Sequence, residues 1–208
     1  MAVDRRLLLA TRNQGKLAEL NGILGAAGVV VIDLEAAGIP EREGESAIEG
    51  FDTLRENALA KARYFNLVSG FPAVADDSGL MVEALGGSPG VHSRRYSGRV
   101  DLAGMDLDDA NNQKLMRELH DTLHPAAKFA CAAAYVDGDV EFVEQGEAHG
   151  EITRSPRGFN GFGYDPYFLS FELDMTFGEA TIDEKSQVSH RARAFNALVT
   201  VLRQRGCI

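Results

Sequence analysis

Residues 74–98 read VADDSGLMVEALGGSPGVHSRRYSG, and the rest of the chain makes sense around them. An apolar, strand-like lead ends in two adjacent carboxylates, Asp76 and Asp77, followed by Ser78 and Gly79. A second apolar run comes next, then a glycine- and proline-rich turn with Arg94 and Arg95, and a third arginine, Arg99, directly after the stretch. Two carboxylates at the end of a buried strand are costly unless they pair with cations or hold a metal. Neighbouring side chains of a regular strand point to opposite faces, so both aspartates share one cavity only if the strand breaks, and Ser78-Gly79 permits a break. The pattern therefore predicts one strand over FPAVAD and another over GLMVEAL.

Upstream, RRLLLA predicts a short buried strand, TRNQGK a polar loop, and Leu17, Leu20, Ile23 and Leu24 a helix from Lys16 that stops near Gly25 or Gly28. VVVIDL predicts a second strand. A strand, a polar glycine-containing loop and a helix can present backbone N–H groups to a phosphate, although an ordinary connection looks the same and no Walker A spacing is present. Residues 38–52 predict an acidic, irregular, mobile loop. Thr53 and Glu56 form a capping-box pattern before a helix whose apolar stripe is Leu54, Ala58, Ala62 and Phe65. Asn57 and Lys61 share another face of it, either solvated or turned to a site.

Downstream, LGGSPGVHSRRYSG predicts a long turn. A helix starting at Asp106 or Asp108 and ending near Leu123 would bury Leu107, Ala110, Leu115, Leu119 and Leu123. KFACAAAYV and DVEFVEQGE around Asp137-Gly138 predict a hairpin with a type I′ turn. HGEITRSPRGFNGFGYDPYF is too rich in turns for regular structure before its last residues, and its aromatics Phe159, Phe162 and Tyr164 could stack on a base. A final helix from Ser189 would bury Phe195, Leu198, Val199 and Leu202. His190 and Arg191 sit at its N-terminus, where the helix dipole disfavours cations. An anionic or carbonyl-bearing ligand explains them as well as plain solvent exposure does.

Interleaved strands and helices in 208 residues predict a single α/β domain with a mixed sheet. The formal charge of -10 argues against a nucleic-acid polymer as partner. Cys131 and Cys207 make no disulfide framework or zinc spacing, and no apolar run approaches a leader or membrane span, so a cytoplasmic protein is expected. Against the acidic background, Lys16, Lys61, Lys185, His190 and Arg191 are donors suited to phosphate. Asp76, Asp77 and members of the Glu41, Glu43, Glu45 and Glu49 set are oxygen ligands suited to Mg²⁺.

LLLATRNQGKLAEL, ENALAKA, ADDSGLMVEALGGSPGVHSRRYSG, GFGYDPYF and EKSQVSHRARAF together resemble the inosine triphosphate pyrophosphatases, also called dITP/XTP pyrophosphatases. The resemblance spans nearly the whole chain. It implies an elongated, two-lobed α/β fold with a central mixed sheet flanked by helices and the active site in the cleft between the lobes. It also implies Mg²⁺-dependent hydrolysis of dITP, ITP or XTP to monophosphate and pyrophosphate by a homodimer. By this resemblance Thr11, Arg12, Asn13, Gln14, Gly15 and Lys16 form the phosphate loop, and Asp77 is general base and metal ligand. Ser78, Phe162, Gly163, Tyr164, Asp165 and Lys185 meet substrate, and His190 and Arg191 read the base. The second metal ligand aligns with Glu49, with Glu45 as fallback.

Three features depart from the family pattern. Arg12 stands where the loop usually has glycine, the Glu49 region lacks the usual Glu-Thr-Gly, and Ala148-His149 replaces a tryptophan neighbourhood. A Maf-like pyrophosphatase acting on modified pyrimidines and a non-catalytic nucleotide sensor are the competing readings.

Overall fold

The computed structural model describes residues 6–208; Arg5, which heads the expected first strand, and the preceding residues lie outside the described part. Backbone contacts divide the chain into two compact units. The first comprises the chain up to Asp77, Cys131–Gly146 and Arg191–Ile208, and the second Ser78–Ala130 and Glu147–His190.

Seven strands form one mixed sheet: β1 (Leu7–Leu9), β2 (Val31–Asp33), β3 (Ala73–Val82), β4 (Ala126–Asp137), β5 (Val140–Ile152), β6 (Phe168–Ser170) and β7 (Met175–Thr176). Their order is β2-β1-β3-β4-β5-β6-β7, with β1 parallel to β2 and β3, and β6 antiparallel to β5 and β7. The helices are α1 (Gln14–Ala26), α2 (Leu54–Ser69), α3 (Gly104–Glu118), α4 (Ile182–Val188) and α5 (His190–Gln204). None of the described helices is long and apolar enough to cross a membrane.

In the first unit, Leu7, Leu9, Leu20, Leu24, Val74, Tyr135, Phe195 and Leu198 share one buried cluster, which joins the central strands to α1 and α5. Thr53 caps α2 as its spacing implies, accepting from Glu56 N at 3.1 Å, and the expected stripe of Leu54, Ala58, Ala62 and Phe65 is buried. The second unit has its own core of Leu80, Val82, Leu115, Phe129, Ile152, Phe168 and Phe177. Ala148, in the expected tryptophan neighbourhood, is part of that core.

Several expectations need correcting. The paired aspartates do not break a strand, because β3 runs unbroken through Asp76, Asp77, Ser78 and Gly79. Residues 38–52 are not wholly irregular, since Glu45–Glu49 form a short 3-10 helix. The turn after β3 also contains a 3-10 helix, Gly90–Arg95. α3 stops at Glu118, leaving Leu123 74% exposed. β5 continues through His149 to Ile152, where a turn-rich stretch was expected.

The hairpin loop is Gly138-Asp139, with Asp137 still in β4. Gly138 has φ 59° and Asp139 is not among the residues with positive φ, the pattern of a type II′ rather than a type I′ turn.

Candidate active site

In the first unit β1 is followed by the short loop Ala10–Asn13, and α1 comes at once after it. Asn13 caps the helix by accepting from Lys16 N at 3.0 Å, and Thr11 Oγ1 accepts from Asn13 N at 3.3 Å. Gln14 and Gly15 open the first turn, which brings the Lys16 side chain to Asp76, Nζ to Oδ2 2.9 Å. Arg12 has an ordinary negative-φ backbone, so this loop does not need glycine at that position.

Asp76 is fully buried on β3. Arg191 at the start of α5 donates its Nε to Asp76 Oδ2 at 3.2 Å and its Nη1 to Glu19 on α1. The unfavourable cation at this helix N-terminus is thus offset by two buried carboxylates. Of the two expected explanations, plain solvent exposure is ruled out, because His190 and Arg191 are both buried.

Asp77 has different partners. Its Oδ2 accepts from Asn57 Nδ2 at 3.0 Å, and Asn57 also bonds Phe51 N at 2.9 Å and Phe51 O at 3.2 Å. Phe51 N requires an oxygen acceptor, so the Asn57 amide has its NH₂ toward Asp77. One turn along α2, Lys61 pairs with Glu49. The Asn57–Lys61 face is therefore turned to the carboxylates and not to solvent.

These partners split two chemically identical neighbours. Burial pushes the Asp76 carboxyl up, but Lys16, Arg191 and Lys61 outweigh it and hold the group well below the usual carboxylate range. Burial also raises Asp77; Lys16, Lys61 and the Asn57 hydrogen bond offset this only in part, and Glu49 adds to the rise. At Glu49, burial is overcome by Lys61 and Lys16, and the carboxyl lies below its ordinary value. At Lys61, burial is overcome by Glu49, Asp76 and Asp77, and the ammonium is held charged. Neighbouring carboxyls with divergent affinities for a proton are a mark of acid–base sites.

Glu45, the fallback metal ligand, faces elsewhere. Its two oxygens receive Arg12 Nε and Nη2 at 2.8 and 2.9 Å. Among the described residues no group of three or more His, Cys, Asp or Glu is arranged to hold a metal. Mg²⁺ uses one or two carboxylates plus substrate phosphates rather than a protein cage. Glu49 raises the proton affinity of Asp77, and both are oxygen donors of the type Mg²⁺ takes.

In the second unit the loop Phe162–Asp165 is held at each residue. Phe162 N donates to Asp165 Oδ2 at 2.8 Å. Gly163 N donates to Asp108 at 2.9 Å, and its carbonyl accepts from Asn112 at 2.9 Å. The buried Tyr164 donates its hydroxyl to Ser93 O at 2.7 Å. Buried Lys185 reaches Asp165 Oδ2 at 2.7 Å and lies 5.4 Å from the Phe162 ring centroid. A side chain on Gly161 would run into the Asp165 carboxylate.

Half-buried Ser78 continues β3 into this unit. At Gly79 a side chain would strike the Gly90 carbonyl, which packs the following turn against the strand. His190 is buried and stacks on Phe129, with centroids 4.7 Å apart and planes 12° apart. Phe159 is fully exposed.

Glu19, Asp108 and Asn112 were not singled out from sequence as partners of the site, whereas Asn57 had been marked, with Lys61, as a face that could turn to it. α4, which carries Lys185, was missed as well. Thr181 and Glu184 form a capping box before it, and that spacing was a usable signal.

The model of the Ham1 family matches residues 7–201. The chain belongs to the Ham1 family. It is 45% identical over 203 residues to a dITP/XTP pyrophosphatase of Ralstonia nicotianae, covering 96% of this chain and 97% of that protein. The solved HAM1 protein of Coxiella burnetii superposes with TM-score 0.80 at 37% identity, covering 96% of this chain and 98% of that one. A Mycobacterium abscessus nucleoside-triphosphatase/dITP/XTP pyrophosphatase structure gives TM-score 0.70 at 41% identity, covering 95% and 99%. Membership of the Ham1 family agrees with the motif resemblance and with the mixed sheet, and it makes enzymatic nucleoside triphosphate chemistry the frame for these residues.

Proposed function

We propose that this Ham1 chain hydrolyses dITP, ITP and XTP to the monophosphate and pyrophosphate, as a single catalytic domain over residues 1–208. The observation that carries the reading is the division of partners between adjacent carboxylates, Asp76 meeting Lys16 and Arg191 and Asp77 meeting the Asn57 amide, in a chain whose relatives are named dITP/XTP pyrophosphatases. The carboxyl not tied to two cations, Asp77, is the better general base of the two.

Asp77, oriented by Asn57, takes the proton of the attacking water. Asp76 stays ionised and fixes Lys16. Lys16 and the N–H groups of the Thr11–Lys16 loop receive phosphate oxygens. Glu49 and Asp77 would hold Mg²⁺, which when bound supplies charge neutralisation at the phosphates. Ser78, the Phe162–Asp165 loop and Lys185 position the nucleotide.

His190 reads the purine. A ring N–H suits a 6-oxo group and meets a donor when adenine is offered, at a cost of about 1–3 kcal/mol. Arg191, expected beside His190 as a base reader, is assigned instead to holding Asp76, because two of its nitrogens are already on carboxylates. The working form is a homodimer in the cytoplasm, where two free cysteines are stable.

A pyrophosphate-release panel of dITP, XTP, dGTP, dATP and dUTP, with and without Mg²⁺, tests the reading. Release from dITP and XTP that needs Mg²⁺ is expected. Preference for a pyrimidine, or tight dITP binding with no release, would sink it.

A further inference from the structure

Arg12 occupies a position where the family pattern usually has glycine, in the middle of the loop proposed to receive phosphate. All three of its guanidinium nitrogens are engaged. Nε and Nη2 form a two-point pair with Glu45, Nη1 donates to Ile39 O at 3.2 Å, and the group lies 5.9 Å from the centroid of buried Phe65. Glu45 also accepts from Arg42 N at 3.1 Å. Three bonds from one side chain thus reach 27 and 33 residues along the chain, to the start and the middle of the acidic segment.

Glu45 is the first residue of the 3-10 helix whose last residue is Glu49. Gly44 before it supplies no side-chain cap. The far end of that helix is held by the Lys61–Glu49 pair, and the near end by Arg12. A five-residue helix fixed at both ends transmits position from one glutamate to the other.

We infer that Arg12 and Glu45 act as a strap that positions Glu49 for a divalent cation, and that the Arg12 side chain, unlike the backbone N–H groups of its loop, does not contact the phosphates. This rests on the proposed role of Glu49. Two-point arginine–carboxylate geometry is not reproduced by lysine, so the strap depends on the fork as well as on the charge.

The test uses the full-length protein and the variants Arg12→Ala, Arg12→Lys, Glu45→Gln and Arg12→Ala/Glu45→Gln. Mn²⁺ affinity is read by electron paramagnetic resonance without nucleotide. Amide exchange over residues 39–49 and binding of a non-hydrolysable dITP analogue in EDTA are read alongside, with thermal melting to verify folding. Arg12→Ala and Glu45→Gln are each expected to weaken Mn²⁺ about tenfold, the scale of outer-shell partners of metal ligands. Arg12→Lys should recover only part, and the double variant should be no worse than the weaker single. Exchange over 39–49 should rise in all of them, while metal-free analogue binding stays as in wild type.

Loss of analogue binding in Arg12→Ala but not in Glu45→Gln would make Arg12 a phosphate contact and overturn the inference. Unchanged Mn²⁺ affinity and unchanged exchange would overturn it too. Wild-type protein that binds Mn²⁺ but releases no pyrophosphate would defeat the proposed reaction and leave the strap standing.

Discussion

Replacing Asp76 with Asn and, separately, Asp77 with Asn should give opposite results from adjacent residues. Asp76 is fully buried, with Lys16 at 2.9 Å and Arg191 at 3.2 Å. Removing one partner of a buried ion pair costs about 3–5 kcal/mol, because the remaining charge stays desolvated. Glu19 still compensates Arg191, so the lower end, about 3 kcal/mol, is the expectation for Asp76→Asn. In a chain of this size that lowers Tm by about 6–12 °C.

Asp77 is held above its ordinary proton affinity, chiefly by burial, so its ionised form is a stability cost at neutral pH. Asp77→Asn should therefore melt at or above the wild-type temperature while losing turnover. The pH dependence separates the two further. Asp76's folded value is depressed, so its contribution is full above the unfolded value and fades as pH falls through the acid range. The gap between wild type and Asp76→Asn should be flat above about pH 5 and shrink below about pH 4. For Asp77 the sign reverses: its contribution is full below the unfolded value and is lost as pH rises through the folded one. Urea unfolding of the three proteins from pH 3.5 to 8 is the assay. An Asp76→Asn protein as stable as wild type at pH 7, or one more stable than Asp77→Asn, would refute the assignment of partners.

Asp77→Asn is expected to cut pyrophosphate release from dITP by about 10²–10⁴-fold, the range of a general base, measured under saturating substrate. His190→Ala should narrow the dITP-over-dATP ratio of kcat/KM by about five- to a hundredfold; an unchanged ratio would remove His190 from base reading. Asp108→Ala or Asn112→Ala frees one side of Gly163. Each is expected to raise KM for dITP about five- to tenfold with a much smaller change in kcat, and a pure kcat loss would contradict a substrate-positioning loop.

What could be read locally was largely right. The strand–loop–helix around Thr11–Lys16, the Thr53 cap and the buried stripe of α2 depend on neighbours a few residues apart. The hairpin was legible too, but its turn was one residue out, because Asp137 still belongs to β4 and glycine takes the first loop position. The unbroken β3 was not legible. Four polar or small residues in a row look like a breaker unless one knows that Lys16, Asn57 and Arg191 arrive from three helices. Glu19 was hidden for the same reason, since a glutamate on a helix is ordinarily solvated and only Arg191, 172 residues on, makes it a buried counter-charge. The different partners of Glu45 and Glu49 also required the fold, as both sit in one acidic run and the sequence does not say which cation each meets.

Those pairings also bear on how a polyanion binds to a chain of net charge -10. In the first unit Lys16, Lys61 and Arg191 stand against Glu19, Glu49, Asp76 and Asp77, three formal cations to four carboxylates. The lysines are thus already compensated, and a triphosphate brought to them meets an excess of negative charge. A divalent cation at Glu49 and Asp77 reverses that balance before any bond is broken. Metal dependence should therefore appear in binding as well as in hydrolysis. Titration calorimetry with a non-hydrolysable dITP analogue is expected to show affinity at least about tenfold weaker in EDTA than in Mg²⁺, since even one of the two added charges, at an effective dielectric near 20, is worth more than the roughly 1.4 kcal/mol that tenfold requires. Lys61→Ala removes one cation and should steepen that dependence; equal affinity with and without metal would show that the lysines suffice and that the balance of charge has been misread.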